Sequence, residues 1–469
     1  MTKRQIVIVG GGFSGTALAI QLLRKGDANL AITLIEPRAQ LAEGVAYSTQ
    51  DPAHRINVPA AKMQLSESEK GDFDRWYRQQ PAFLQDSAAL WQDGCVYPQR
   101  RQFAAYLRDK LAHALNGATA TFRHVQDYAQ AYQLGQLITQ QGLRIPVDQL
   151  VLAISHPAPL KPAVFQALST DSNVIHNPWQ NESLYTLENN AEVAIIGTGL
   201  TMADVVASLV RQGHRGPIHA ISRRGQLPRA NLSGHYDDYS LIPATPLPTT
   251  VRGWLKLIRE NVSVAARHQR PWQLVLDDVR RQAQTIWQQL SLVEQRRFYR
   301  HLRPWWDVHR YRIAPQVAAV LGECLASGQL QINAGRLLSA QHISGKLALT
   351  LRQRQGGSKT LLVDKVIVTT GPAHQQLIAS QPLLIDLAAQ ARITADPLGV
   401  GIAVNAHSQA LSPTGTAHDD LFVVGPAARG RFGELMGLPQ VAEHAEFIAN
   451  QLLATPTDAL RERCPRESN

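Results

Sequence analysis

The sequence predicts an α/β protein with two Rossmann-like dinucleotide-binding domains and a helical insertion. Three observations carry this: a strand, glycine-rich turn, helix and second strand in succession near the N-terminus; the same succession again from Val193; and a helical pattern over residues 251–326 that holds five of the eight tryptophans.

The first unit begins with a short β-branched run at residues 5–9, followed by Gly10-Gly11-Gly12-Phe13-Ser14-Gly15. Residues 16–24 have helical periodicity, and residues 31–35 form an apolar strand that ends at Glu36. The second unit repeats the order with a strand at 193–196, the turn Gly197-Thr198-Gly199, a helix at 201–212, and a strand at 218–221 that reaches Ser222-Arg223-Arg224. Between them, residues 117–155 alternate polar and apolar like a strand meander, closing in a buried strand at 150–154 and a proline-rich exit at Pro157 and Pro159. Tryptophans 254, 272, 287, 305 and 306 mark the insertion, which neither βαβ unit needs. Residues 361–368 read as one strand ending at Thr370-Gly371-Pro372, residues 421–425 as another, and residues 440–453 as a helix that completes the first domain. The expected division is a first dinucleotide domain made of 1–160 and 373–469, and a second of 161–372 with the insertion at about 250–328.

Composition narrows the function classes. With 469 residues, 44% hydrophobic and 18% charged, disorder, collagen and coiled coil are excluded. No apolar run approaches the roughly 20 residues that span a bilayer, and the run at 6–9 stops at three glycines, too short for a signal sequence. A cytoplasmic protein without a membrane partner is expected. Cys95, Cys324 and Cys464 lie far apart with no CxxC, so neither a metal site nor a redox disulfide is expected. The net charge of +10 is spread along the chain in short arginine groups, Arg100-Arg101, Arg223-Arg224 and residues 300–312. Arginine suits bidentate capture of phosphate or carboxylate, so phosphate-bearing cofactors explain the charge and nucleic acid is not needed.

Two motifs carry the chemistry. In Gly10-x-Gly12-x-x-Gly15 the glycines bring a helix N-terminus against a pyrophosphate, and Glu36 accepts ribose hydroxyls while repelling a 2′-phosphate. This selects FAD or NAD. In the second motif, Gly197-x-Gly199 with Ala203 in the third small position, the acid is replaced by Ser222-Arg223-Arg224, whose guanidinium groups suit the 2′-phosphate of NADPH. One site selecting against that phosphate and one selecting for it describe a flavin and its reductant. The strand ends at 155–157 and 369–372 are where a chain passing between the two domains would bend.

The order of these motifs is similar to that of the two-dinucleotide-domain flavoproteins. Gly44-Val45-Ala46-Tyr47, Ile56-Asn57-Val58-Pro59 with Met63, Tyr97-Pro98-Gln99-Arg100-Arg101, and Leu302-Arg303-Pro304-Trp305-Trp306-Asp307-Val308-His309-Arg310-Tyr311-Arg312 resemble a bacterial group of FAD/NAD(P)-binding proteins. That group shares its domain with FAD-dependent urate hydroxylase and aspartate N-monooxygenase. The resemblance implies FAD contacts at Gly10, Gly12, Ser14, Gly15 and Glu36, with Tyr47, Asn57 and Arg100 near the flavin or its pyrophosphate, Val125 against the adenine and Gly425 beside the flavin. NADPH contacts fall on Gly197, Gly199, Leu200, Thr201, Ser222, Arg223 and Arg224. The chain departs from the wider pattern at Gly425-Pro426-Ala427, where relatives carry Gly-Asp, and at Ala153-Ile154-Ser155, where they carry Ala-Thr-Gly.

Candidate catalytic residues are His309, Arg310, Arg312 and Glu434. In one reading Asp307 caps a helix, Pro315 opens the next, and the arginines are structural ion-pair partners. In the other, His309, Arg310 and Arg312 line the entrance and hold an anionic substrate. Glu434 is the lone carboxylate of a loop that relatives pack on the flavin, and as a loop acid it is expected to be solvated. The function expected is a FAD-dependent, NADPH-using monooxygenase that hydroxylates a small polar, nitrogen-containing substrate. A flavin reductase passing electrons to a partner or quinone, and a non-catalytic FAD-binding redox sensor, are the alternatives.

Overall fold

The structure, a computed structural model, describes residues 3–454 except Ser155, 180–183, His235, 244–245 and Gln355; the expected bend residue Ser155 and the third cysteine, Cys464, lie outside the described residues. The N-terminal part supplies β1 (Arg4–Val9), β2 (Leu30–Ile35), β3 (Thr121–Val125), a meander of β4 (Ala129–Gln133), β5 (Gln136–Thr139) and β6 (Arg144–Pro146), and β7 (Gln149–Leu152). The middle supplies β8 (Val174–Ile175), β9 (Val193–Ile196), β10 (Ile218–Ser222), β11 (Leu330–Ile343), β12 (Lys346–Gln353), β13 (Ser358–Val363) and β14 (Lys365–Val368). The C-terminal part adds β15 (Gln409–Leu411) and β16 (Ala417–Val423).

Both ends of the chain build the first sheet, in the order β15-β16-β7-β1-β2-β3, parallel throughout except for β15. The second sheet runs β13-β12-β11-β10-β9-β14-β8, with its parallel part from β11 to β8. The continuous Val/Ile runs of β1, β7, β9 and β14 are buried because helices or other strands cover both faces of a parallel sheet.

Residues 361–368 do not form the single strand expected. At Asp364 the amide donates to Glu192 O at 2.8 Å and the carboxylate accepts from Glu192 N at 2.7 Å, which turns the chain. β13 therefore pairs antiparallel with β12, and β14 inserts parallel beside β9. The long hairpin of β11 and β12 was also not legible. It turns at Ser344-Gly345 with φ of +52° and +82°, the two positive values a tight hairpin of matching twist requires.

The chain leaves the first sheet after β7 and returns after β14, and the two crossings run side by side. Pro159 and Pro372 bridge them, with Leu160 N donating to Gly371 O at 3.2 Å and Ala373 N to Ala158 O at 3.1 Å. The helical insertion leaves after β10 and comprises helices Val251–Arg267, Trp272–Gln289, Leu292–Arg297 and Arg303–Arg310, with a wide turn at Phe298–Leu302. Val251, Trp254, Leu257, Trp287 and Leu290 form its core, with Leu398 of the C-terminal part packed against them. Helix Pro315–Ala326, opened by its proline as expected, packs on helix Leu200–Arg211 and leads into β11.

Candidate functional site

The first cradle lies where β1 meets helix Phe13–Lys25. Backbone approach here leaves no room for side chains: a Cβ on Gly10 would lie 2.3 Å from Ala153 O, and one on Gly15 would lie 1.9 Å from Gly10 O. No side chain caps this helix and no acid stands in its first turn, so its positive N-terminal end is offered to an anion. Glu36 ends β2 buried, and it accepts from Gly11 N at 2.9 Å and from Arg38 Nη1 at 3.0 Å. Val125, the last residue of β3, lies beside it and accepts from Glu36 N at 3.1 Å. The closing segment arrives over Ser14: Gly425 has φ +81°, and a Cβ there would meet Ser14 Oγ at 2.3 Å. These features suit the pyrophosphate and ribose of FAD.

The other residues assigned to the flavin are placed as follows. Tyr47 packs on Phe103 with ring centroids 5.0 Å apart, and burial pushes its phenol up to about 12. Asn57 gives its backbone carbonyl to Asn231 Nδ2. Arg100 is already engaged: its guanidinium pairs with Asp204 at 2.9 Å and donates through Nε to Arg55 O at 2.9 Å. It ties the first part of the chain to the helix of the second cradle. Asp204, the fifth residue of that helix, is an anchor for Arg100.

The second cradle repeats the geometry with a different end. Helix Leu200–Arg211 also lacks a side-chain cap and an acid in its first turn, and Leu200 and Thr201 open it. A Cβ on Gly199 would meet nothing within 4 Å, leaving space in front of the helix. Ser222 shapes the turn, accepting from Thr198 Oγ1 and Gly225 N, both at 2.9 Å. Arg223 is exposed, whereas Arg224 lines an open groove with Arg354 and Lys359. Those two cations come from the β12–β13 hairpin, so the sequence neighbourhood of the motif gave no sign of them.

His156, just before the first crossing's bridge, and His374, just after the second's, have rings 5.2 Å apart. Burial and the nearby Arg429 guanidinium hold His156 down to about 4 and His374 to about 2. Arg429, four residues beyond Gly425, is 3% exposed. It donates through Nε to Val400 O at 3.1 Å and through Nη1 to Met436 Sδ at 3.0 Å, while Nη2 has no hydrogen-bond partner. Arg429 lines a cavity of about 530 Å³ between the insertion and the loop 429–436, walled by Trp254, Trp272, Trp287, Trp306 and Tyr299. Trp287 Nε1 donates to Gly430 O at 3.0 Å and so fastens that loop to the insertion.

The expected entrance cluster is only partly present. His309 faces the cavity, set by Trp305 O at 2.7 Å and by the edge of Trp272. Arg310 and Arg312 are buried and held in ion pairs with Glu434 and Asp277, with Arg310 Nε left without a hydrogen-bond partner. Glu434 is itself 6% exposed, because Arg310 neutralises it inside the protein. Asp307 is not an N-cap: Pro304 opens helix Arg303–Arg310, and Asp307 lies within it, paired with Arg303 at 3.3 Å. Its carboxylate lines the cavity, and desolvation raises its pKa. Arg429, His156 and His374 were missed because each stands in a segment whose only sequence signal is a strand end or a loop.

Two uncapped helix ends on the parallel parts of two sheets, one closed by a buried acid and the other by a cationic groove, define a two-dinucleotide-domain flavoprotein. Residues 7–157 match a family described as FAD-NAD(P)-binding, and residues 91–244 match a family described as L-lysine 6-monooxygenase/L-ornithine 5-monooxygenase. By these matches and this fold the chain is a flavin-dependent NAD(P)H oxidoreductase. Among solved structures it is similar to ornithine hydroxylase from Pseudomonas aeruginosa, with 18% identity, a TM-score of 0.64, and coverage of 96% of this chain and 99% of that one. It is similar to an ornithine N-hydroxylase from Kutzneria sp. 744, with 15% identity, a TM-score of 0.61 and coverage of 98% and 99%. A cadaverine monooxygenase from Erwinia amylovora gives 13% identity, a TM-score of 0.62 and coverage of 97% and 95%. At these identities the likeness establishes the shared fold. No curated relative matches the chain significantly. Among the described residues no helix is long and apolar enough to cross a membrane.

Proposed function

We propose that the protein is a FAD-dependent, NADPH-using monooxygenase that hydroxylates a small nitrogen-containing substrate. The observation that carries this reading is the cavity walled by the insertion on one side and by the Arg429 loop of the flavin-binding part on the other. The hydroxylase and monooxygenase activities named for the structural neighbours, one of them an N-hydroxylase, and the monooxygenase family segment support it. Residues 1–160 and 373–469 would bind FAD, through Gly10, Gly12, Ser14, Gly15, Glu36, Val125 and Gly425, and residues 161–372 would bind NADPH. FAD, once reduced by NADPH, supplies the oxygen chemistry.

The chain's own part is to bind, orient and exclude water. The bare helix ends hold the two pyrophosphates. Arg224, Arg354 and Lys359 take the 2′-phosphate. The aromatic walls keep water from the reacting atoms, and the neutral His156 and His374 bring no competing charge to the crossings. A cytoplasmic setting, where NADPH is supplied, suits this activity.

The test is to mix the holoprotein with NADPH, oxygen and a panel of amines and amino acids, following NADPH loss, hydrogen peroxide and hydroxylated product together. The reading expects at least one amine to divert NADPH oxidation from peroxide to product. Peroxide alone with every amine, or electrons leaving only to quinones, would overturn it.

A further inference from the structure

We infer that the substrate of this cavity is an amphipathic carboxylate, with an aromatic or branched apolar body between the tryptophans and its carboxylate on Arg429. The inference rests on the reading of the cavity as the substrate site and adds the class of molecule that it takes.

The charges on the wall make the argument. Among the described residues that line the cavity, Arg303 is paired with Asp307 and Glu434 with Arg310, while Arg259 lies on the outer surface. Arg429 has a backbone carbonyl and a thioether as its partners, no carboxylate in hydrogen-bond contact, and one nitrogen unbonded although the residue is 97% buried. Of the acids whose charge reaches it, Asp307 is paired with Arg303, and Asp396 accepts from the amides of Leu398, Val400 and Gly401. A buried guanidinium with an unmade bond is unfavourable until an anion meets it, and its planar fork matches a carboxylate. The free nitrogen thus asks for one negative charge.

The rest of the wall asks for the opposite. Trp254, Trp272, Trp287, Trp306 and Tyr299 offer apolar faces, and both carboxylates on the wall already have cationic partners. A short diamine or diamino acid would leave a second charge among indole rings, which is costly without a partner. An aromatic or branched body fills such a space without that penalty, and 530 Å³ falls in the range of pockets that bury a whole small ligand. A carboxylate substrate whose amine is neutral, the form with a free lone pair, carries one net negative charge and matches the one uncompensated cation.

The experiment titrates the FAD-loaded protein with 3-phenylpropionate, 3-phenylpropionamide, 3-phenylpropylamine and acetate, reading tryptophan fluorescence and the flavin absorption band. The expected result is 3-phenylpropionate binding at least 10-fold tighter than each of the other three. Arg429→Met should remove that preference with flavin content retained, Arg429→Lys should keep part of it, and Trp272→Ala should weaken 3-phenylpropionate but not acetate. Equal binding of amide or amine, or a preference that survives in Arg429→Met, would overturn the inference. So would loss of flavin from Arg429→Met with probe affinities unchanged, which assigns the guanidinium to the cofactor. Equilibrium binding needs no turnover: a carboxylate preference without any oxygenated product would leave this inference standing and remove the monooxygenase reading.

Discussion

The two cradles are built alike and finished differently. Each places an uncapped helix end after a buried strand, yet the first closes its second strand with Glu36, locked by Gly11 and Arg38 and overlaid by Gly425, whereas the second ends in an open groove of Arg224, Arg354 and Lys359. The closed version suits a cofactor that stays, and the open one a cofactor that must arrive and leave in each cycle. On the proposed assignment, the same helix-end device would serve retention or exchange according to what surrounds it.

The sharpest way to break this comparison is to fill each cradle in turn. Gly12 faces Gly44 Cα, with a Cβ position 3.4 Å away, and Gly199 faces open space. Gly12→Leu is expected to abolish flavin binding in purified protein, seen as loss of the absorption band near the visible blue. Gly199→Leu should keep the flavin and lose NADPH by roughly 100-fold or more, since it would block the helix end proposed for the pyrophosphate. A yellow Gly12→Leu protein would remove the first assignment, and unchanged NADPH affinity in Gly199→Leu the second.

A second test addresses what joins the cradles. The Arg100–Asp204 pair is nearly sealed from solvent, with side chains 11% and 3% exposed. Asp204→Ala leaves the guanidinium buried without its carboxylate, and a loss of about 3–5 kcal/mol in unfolding free energy is expected. Denaturant unfolding measures it. A loss within 0.5 kcal/mol, roughly that of an ordinary surface change, would show the pair to be incidental.

The open groove gives the third. Arg224→Ala, and Arg354→Ala with Lys359→Ala, are each expected to lower the preference for NADPH over NADH by about 10- to 100-fold, the scale of one or two lost charge-assisted bonds. Arg223→Ala should change it little, because Arg223 points to solvent. Competition kinetics with both nucleotides decides it, and the reverse ranking would move the 2′-phosphate away from the groove.

What the sequence revealed divides along physical lines. The β-branched runs at 5–9 and 193–196, the glycines that follow them and the charge at the end of each second strand are local, so both cradles were legible. Asp364-Lys365 interrupt the apolar run in the sequence, but that the chain reverses there depends on Glu192, far away in the chain, and could not be read from that pair alone. The arginines of 303–312 were seen as a cluster, but whether Arg310 meets substrate or Glu434 is settled by packing between distant segments. Arg429 escaped notice for the same reason. Its importance comes from the unbonded nitrogen and the cavity it faces, and both exist only after the insertion has docked.

The smallest expected effect bears on the closed cradle alone. His444 lies under Gly425, accepting from Gly425 N through Nδ1 at 3.0 Å and touching Ser408 Oγ through Nε2 at 3.2 Å. That acceptor role requires the neutral ring, and burial holds its pKa down to about 3 from an ordinary 6.5. Between those values the unfolded chain takes up a proton that the folded chain refuses, so stability falls as the pH is lowered from about 6.5 towards 3. The slope is about 1.4 kcal/mol per pH unit for each such group. His156 adds to it down to about 4 and His374 down to about 2, by the same sign. The second cradle has no counterpart of His444 beneath its glycines among the described residues. Acid should therefore release flavin, followed by its fluorescence, before it weakens NADPH binding. His444→Asn, whose amide oxygen can still accept from Gly425 N, should lower the slope of unfolding free energy against pH by about one proton's worth and move flavin release to lower pH. An unchanged slope would mean that His444 is already protonated in the folded protein, and that the closing of the first cradle does not depend on it.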